Sequence, residues 1–203
     1  MGCQGQGIMS APGAPPIRPW LRESSREAGK FPIFSIRTDS KVSPRTGGKH
    51  DFYVIECVDW VNVIAVTAND ELVMVRQFRH GSETVELEIP GGVMDPEDRD
   101  PVATAVRELR EETGYEGVNP RLIGEVFPNP AIMNNTCRTV LIEQCERKHE
   151  LEQDAGEDLV PELVPLDHVR QAVASGEVGH ALVIVGLYYY DLYRAGQGYA
   201  GAR

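Results

Sequence analysis

The chain has 203 residues, 41% apolar and 25% charged, which suits one globular domain with extensions. A net charge of −11 and a pI near 4.9 argue against duplex nucleic acid as a partner, because phosphate binding relies on Lys and Arg patches. A small anionic ligand stays compatible with that charge, since a bound metal inverts the local field.

Residues 1–30 are rich in Gly, Pro, Ser and Ala, and are expected to form a flexible arm. They carry neither a secretory signal pattern nor the Ser or Thr that a myristoylation site needs at Gln6. "FPIFSIRT" and "HDFYVIECV" are β-rich stretches on either side of the turn "SPRTGGK". "WVNVIAVTANDELVMVRQF" reads as two strands joined at "ANDE", and "VELEIP" as a short half-buried strand. "DPVATAVRELREETG" is a helix with clear punctuation: Asp100 for the cap, Pro101 for the first turn, Gly114 for the stop. Val102, Val106 and Leu109, with Ala105 beside them, are its expected buried stripe. "RLIGEVFP" and "NTCRTVLIEQCE" are further strands, and "DLVPELVPLDHVRQAVASGE" holds a strand and then a helix. "VGHALVIVGLYYYDLYR" is a closing helix, too short in its apolar run to span a bilayer. Strands mixed with three helices predict an α/β domain with helices packed on a sheet. The four cysteines, Cys3, Cys57, Cys137 and Cys145, lack C-x-x-C spacing. They read as buried thiols of a reducing compartment, and the cytoplasm is the expected location.

The helix "AVRELREETGY" holds the main chemical signal. At roughly 100° per residue, Glu108 and Glu112 lie about 40° apart and Glu111 about 60° to the other side of Glu108. Three carboxylates in one sector are compatible with a solvated face or with a cation site. "EIPGG" in front of the helix tilts the reading toward the cation. Its glycines let backbone approach a ligand, and a loop carbonyl with helix carboxylates makes an all-oxygen site suited to Mg²⁺.

"GGVMDPEDRDPVATAVRELREETGY" resembles the Nudix box, G-x5-E-x7-R-E-U-x-E-E-x-G-U with U a bulky aliphatic. Arg107, Glu108, Leu109, Glu111, Glu112 and Gly114 match without a gap. Between Gly92 and Arg107 there is one residue more than the pattern has. The isolated glutamate of the box therefore falls on Asp98 counted from Gly92, or on Glu97 counted from Gly91. Tyr115 stands where an aliphatic is usual. The resemblance implies a Nudix α/β/α sandwich with a mixed β-sheet between helices, preceded by an N-terminal β-rich segment. It divides the chain into the arm 1–30, dimer-forming strands 31–58 and a Nudix domain 59–203. It also implies Mg²⁺, with Mn²⁺ as a substitute, held by Glu108, Glu112 and the Gly91 carbonyl. Glu111 is either a further ligand or the partner that orients Arg107.

Three stretches outside the box, "DWVNVIAVTANDELVMVRQFRHG", "ELEIPGG" and "FPNPAIMNNTCRTVL", resemble the branch that hydrolyses ADP-ribose and nucleoside diphosphate sugars. Pro130, sixteen residues after Gly114, belongs to that likeness. Arg79 is a candidate phosphate ligand or an exposed strand arginine. Trp60 is a platform for a base or simple core packing. Glu88 is a site candidate from its place beside the loop, and Asn129 and Asn134 are ribose contacts or turn residues. Glu157, in the acidic stretch 150–163, is the candidate general base, and His180 reads as structural. The expected partners are a small nucleotide sugar and a second copy of the chain, with neither nucleic acid nor membrane. The alternatives are a Nudix hydrolase of an oxidised nucleoside triphosphate or a dinucleotide, and a non-catalytic Nudix-like nucleotide-binding domain.

Overall fold

The computed structural model describes residues 16–95, 98, 100–152, 156 and 158–201. Its first three strands, β1 (Leu21–Lys30), β2 (Ser35–Val42) and β3 (Lys49–Glu56), form an antiparallel sheet in that order. The arm expected over residues 1–30 is thus corrected in its last third, because Leu21–Lys30 pairs along β2. LRESSREAGK has no apolar alternation, so hydrophobic periodicity gives no sign of it. The strand is held by polar cross-strand contacts. Asp39, 0% exposed, accepts from Ser25 Oγ at 2.7 Å and Arg37 Nε at 3.1 Å, with Arg22 and Lys41 within 3.6 Å. Burial pushes its carboxyl pKa up, but the Ser25 and Arg37 hydrogen bonds and the surrounding positive charge bring it below the usual range.

The larger sheet contains β4 (Trp60–Thr67), β5 (Glu71–Arg79), β6 (Thr84–Glu88), β7 (Gly91–Val93), β8 (Tyr115–Val126), β9 (Cys137–Arg147) and β10 (Leu159–Pro165). Its path is β10-β5-β4-β9-β8, with β6 beside β5 and β7 beside β4. β4 and β9 are parallel and the other pairs antiparallel, so the sheet is mixed. The helices are α1 (Pro101–Thr113), α2 (Leu166–Ser175) and α3 (Ala181–Arg194).

Period-two alternation in the central strands divides the core. Val61, Val63 and Ala65 of β4 join Ala105 and Leu109 of α1 in one cluster. Ile64 and Val66 face the other way and pack with Val169 of α2 and Val183 of α3. The result is the expected α/β/α sandwich. No helix among the described residues is long and apolar enough to cross a membrane.

The punctuation of α1 is as the residues predict. Asp100 accepts from the Val102 amide, Pro101 opens the helix and Gly114 closes it at φ 72°. Its buried stripe is corrected. Val106 is 40% exposed, while Ala105, Glu108, Leu109 and Glu112 are buried. Measured around the helix from Ala105, those three neighbours fall within about 60°, and Val106 lies about 100° away. The inward arc is therefore partly acidic, and the acids face the loop that precedes the helix.

Candidate active site

The loop and the helix meet through two glycines and two carboxylates. β7 runs against β4, pairing Gly91 with Asn62 and Gly92 with Val61. A Cβ on Gly91 would lie 2.2 Å from the Val61 carbonyl oxygen, and one on Gly92 would lie 2.6 Å from the Glu108 carboxyl group. Glycine at the first position lets two backbones touch, and at the second it leaves room for a functional side chain. The Gly91 amide donates to Glu112 Oε2 at 3.0 Å, tying the loop to the helix.

Arg107 organises the acids around it. Its Nη2 lies 2.9 Å from Glu108 Oε1 and 3.6 Å from Asp98 Oδ2, and its Nη1 donates to Glu111 Oε2 at 2.8 Å. Burial alone lowers the Arg107 pKa, but the negative charge of Glu108 and the bond to Glu111 raise it above its ordinary value. Asp98 accepts from Thr104 Oγ1 and from the Asp95 amide, and these bonds hold its carboxyl pKa down. Asp98 thus latches the turn before α1 and faces Arg107. Glu97, the other candidate for that place, lies outside the described residues.

Glu108 and Glu112 are 8% and 4% exposed, one helical turn apart. Burial strips both carboxylates of hydration and their like charges repel, and Arg107 is among the groups that offset this. The donor set of Glu108, Glu111, Glu112 and the Gly91 carbonyl is all oxygen, and it suits a hard divalent cation that keeps some of its waters. Among the described residues, no three acidic, cysteine or histidine side chains gather closely enough to enclose a metal by themselves.

A second cluster is built at the end of β6, three residues before Gly91 in the chain. Glu88, at the end of β6, is 2% exposed. It takes Arg79 Nε on Oε1 at 2.7 Å and Arg79 Nη2 on Oε2 at 2.8 Å, and His180 Nδ1 lies 2.9 Å from Oε2. Burial pushes the Glu88 pKa up, but the bonds from Arg79 and His180 outweigh it and hold the pKa at about 2.

The other sequence candidates fall around the β8–β9 connection. Asn129 and Pro130 are exposed, and the Asn129 carbonyl accepts from the Ile132 and Met133 amides in a turn. Asn134 Oδ1 accepts from the Cys57 amide at 3.3 Å. Trp60 is partly buried at the start of β4, paired with Val93 on one side and Cys137 on the other. Glu157 lies outside the described residues. Glu152, earlier in the same acidic stretch, donates its amide to the Glu111 carbonyl, which brings Glu152 to the last turn of α1.

Pro130 and Asn134 line a cleft of about 590 Å³ whose other wall is formed by Trp20, just before β1, and by Arg37, Lys41 and Phe52 of the N-terminal sheet. Trp20 meets Phe52 edge to face with centroids 5.3 Å apart, and Lys41 Nζ sits 5.8 Å from the Phe52 ring centre. These four residues are missed by the sequence reading. Their signal is the alternation Arg37, Asp39, Lys41, which puts charges on one face of β2, with Phe52 across from Asp39. A larger groove of about 1140 Å³ lies between α2 and α3. It holds none of the α1 carboxylates, so size does not mark the chemistry here. Cys137 and Cys145 are buried free thiols whose pKa values burial pushes to about 12, which makes them poor nucleophiles.

Residues 59–183 match the NUDIX domain family. The chain belongs to the NUDIX family. Among Nudix proteins it is 33% identical to the ADP-ribose pyrophosphatase of Bacillus subtilis (strain 168) over 138 residues, covering 66% of this chain and 73% of that one. It is 27% identical to the ADP-ribose pyrophosphatase of Mycobacterium tuberculosis over 158 residues, covering 76% and 75%. A crystal structure of an ADP compounds hydrolase superimposes with a TM-score of 0.79 at 19% identity, covering 91% of this chain and 99% of that one, which establishes the shared Nudix fold.

Proposed function

We propose that the protein is a metal-dependent pyrophosphatase that hydrolyses the diphosphate bond of ADP-ribose or a related nucleoside diphosphate sugar. The products are a nucleoside monophosphate and a sugar phosphate. The observation that carries this reading is the convergence of buried Glu108 and Glu112 on the Gly91–Gly92 loop. The two ADP-ribose pyrophosphatase relatives support the substrate class.

Mg²⁺, or Mn²⁺ in its place, held by Glu108, Glu112, the Gly91 carbonyl and Glu111, would neutralise diphosphate charge and lower the pKa of a bound water. The chain's own groups set the geometry. Arg107 fixes the carboxylate planes of Glu108 and Glu111. Arg79, 44% exposed and anchored by Glu88, is offered to a phosphate oxygen. The cleft between the N-terminal sheet and the β8–β9 connection is sized for the nucleoside, with Asn134 and Pro130 on one wall and two aromatic rings on the other. Trp60 and Asn129 are further proposed substrate contacts, Asn129 next to Pro130 in the turn. Glu157 is the proposed base that takes the proton of the attacking water.

The test offers the purified protein, with Mg²⁺, a panel of ADP-ribose, other nucleotide sugars, dinucleotides and nucleoside triphosphates. AMP and ribose 5-phosphate are expected from ADP-ribose, with EDTA abolishing release and Mg²⁺ restoring it. Turnover of triphosphates alone, or of nothing, overturns the reading.

The active form in this reading is a homodimer in a reducing, cytoplasmic setting, consistent with its free thiols. A three-stranded sheet needs a covered face, yet β1 is exposed along almost its whole length and Leu21 and Tyr53 are accessible. A second copy covers that surface. Sedimentation is expected to give about twice the 22.4 kDa chain mass at micromolar concentration. A monomer at every concentration contradicts this.

A further inference from the structure

Position 180 caps α3, and a cap residue ordinarily turns its side chain onto the first amides of its own helix. His180 makes no such bond. Its ring is turned instead to the Glu88 carboxylate on β6, 92 residues earlier in the chain. The start of α3 is anchored a second time by Asn62 Nδ2, which donates to the Leu182 carbonyl at 2.9 Å. The helix end therefore cannot shift without moving relative to β4 and β6.

Arg79 holds Glu88 through two parallel bonds, so the guanidinium and carboxylate share one plane. Because the two bonds fix the guanidinium to the carboxylate, whatever orients the Glu88 plane also orients Arg79. The third bond, from His180 to Oε2, ties the plane to the scaffold. Arg79 sits at the end of β5, where a solvent-facing arginine otherwise samples many rotamers.

We propose that His180 is a positioning residue that, through Glu88, sets the orientation in which Arg79 meets the diphosphate of the substrate. This rests on the hydrolase reading above. The chemistry asks for a ring nitrogen that donates at the Nδ1 position, and asparagine places its amide at nearly the same point. Glutamine places it near the Nε2 position, out of line with Glu88.

The test compares His180→Leu, His180→Asn and His180→Gln with the wild type, each verified as folded by near-UV circular dichroism. With ADP-ribose and Mg²⁺, KM is expected to rise about tenfold in His180→Leu with kcat within about twofold. His180→Asn is expected to recover KM to within about threefold, and His180→Gln to follow the leucine variant, which serves in its place if leucine unfolds the chain. A substrate-free readout separates positioning from bulk stability. Solvent exchange of the Arg79 Nε–H, followed by ¹⁵N NMR, is expected to quicken in His180→Leu and not in His180→Asn. An active wild type whose KM or Nε–H exchange is unmoved by His180→Leu overturns this inference alone. A wild type that hydrolyses no diphosphate overturns the functional reading, and this inference with it.

Discussion

Glu112→Gln is expected to lose at least ~100-fold in kcat while gaining stability, since even an outer partner of a metal site is worth ~10–100-fold when removed. The two effects share one cause. Glu112 is 4% exposed and lies one turn from Glu108, also buried, so its charge is costly in the metal-free protein. Glutamine keeps an acceptor for the Gly91 amide, which now meets Glu112 Oε2 at 3.0 Å, and removes the charge. Relief of about 1 kcal/mol in a chain of this size raises Tm by roughly 2–4 °C. Metal binding reverses the balance, so added Mg²⁺ should raise Tm for the wild type and much less for the variant. Calorimetry with and without Mg²⁺, beside the kinetics, checks both halves. Activity retained within a few-fold would remove Glu112 from the metal site. A lowered Tm in metal-free protein would mean that its charge is structural.

The contrast between what α1 and β1 disclose in the sequence has a physical basis. The signals of α1 are local: Asp100, Pro101 and Gly114 sit within the segment they punctuate, and Gly114 adopts its left-handed turn whatever the sheet does. The box residues are legible through their resemblance to a known pattern, while helix spacing by itself shows only that their carboxylates share one sector. β1 depends on an acid 14 residues away from Ser25, and a polar strand paired through Asp39 gives no periodic apolar sign. Val106 misleads for a related reason. Apolarity suggests an inward side chain, but the inward arc of α1 is taken by Glu108 and Glu112, against the burial preference of their residue type. His180 is read as structural because a histidine at an apolar helix start usually is. Its partner Glu88 lies on another element, and no spacing rule links the two. The cleft residues Trp20, Arg37, Lys41 and Phe52 likewise come together only when the N-terminal sheet docks beside the β8–β9 connection.

Gly91→Ala is expected to be the most damaging single methyl group near the site. The added Cβ would stand 2.2 Å from the Val61 carbonyl oxygen and 3.1 Å from the Asn62 Cα, both backbone atoms of β4. β4 lies inside the sheet between β5 and β9, with Val63 and Ile64 fully buried, so it has no room to retreat. β7 must peel away, and its pairing with Trp60, Val61 and Asn62 is lost. The amide bond to Glu112 goes with it, so the loop leaves the carboxylates it faces. A loss of about 3 kcal/mol is expected, in the upper range for a single substitution. For a domain of this size it corresponds to a Tm roughly 6–12 °C lower, with hydrolysis abolished. Gly92→Ala separates the two consequences. Its Cβ meets the Glu108 carboxylate at 2.6 Å, the end of a side chain that can swing aside. Stability should therefore fall little while kcat falls with the displaced Glu108 carboxylate. Gly81→Ala, with nothing within 4 Å of the added carbon, serves as the neutral control. Thermal melts and ADP-ribose kinetics on the three variants give the ranking. Equal Tm values for Gly91→Ala and Gly81→Ala would show that β7 does not hold the loop against the sheet.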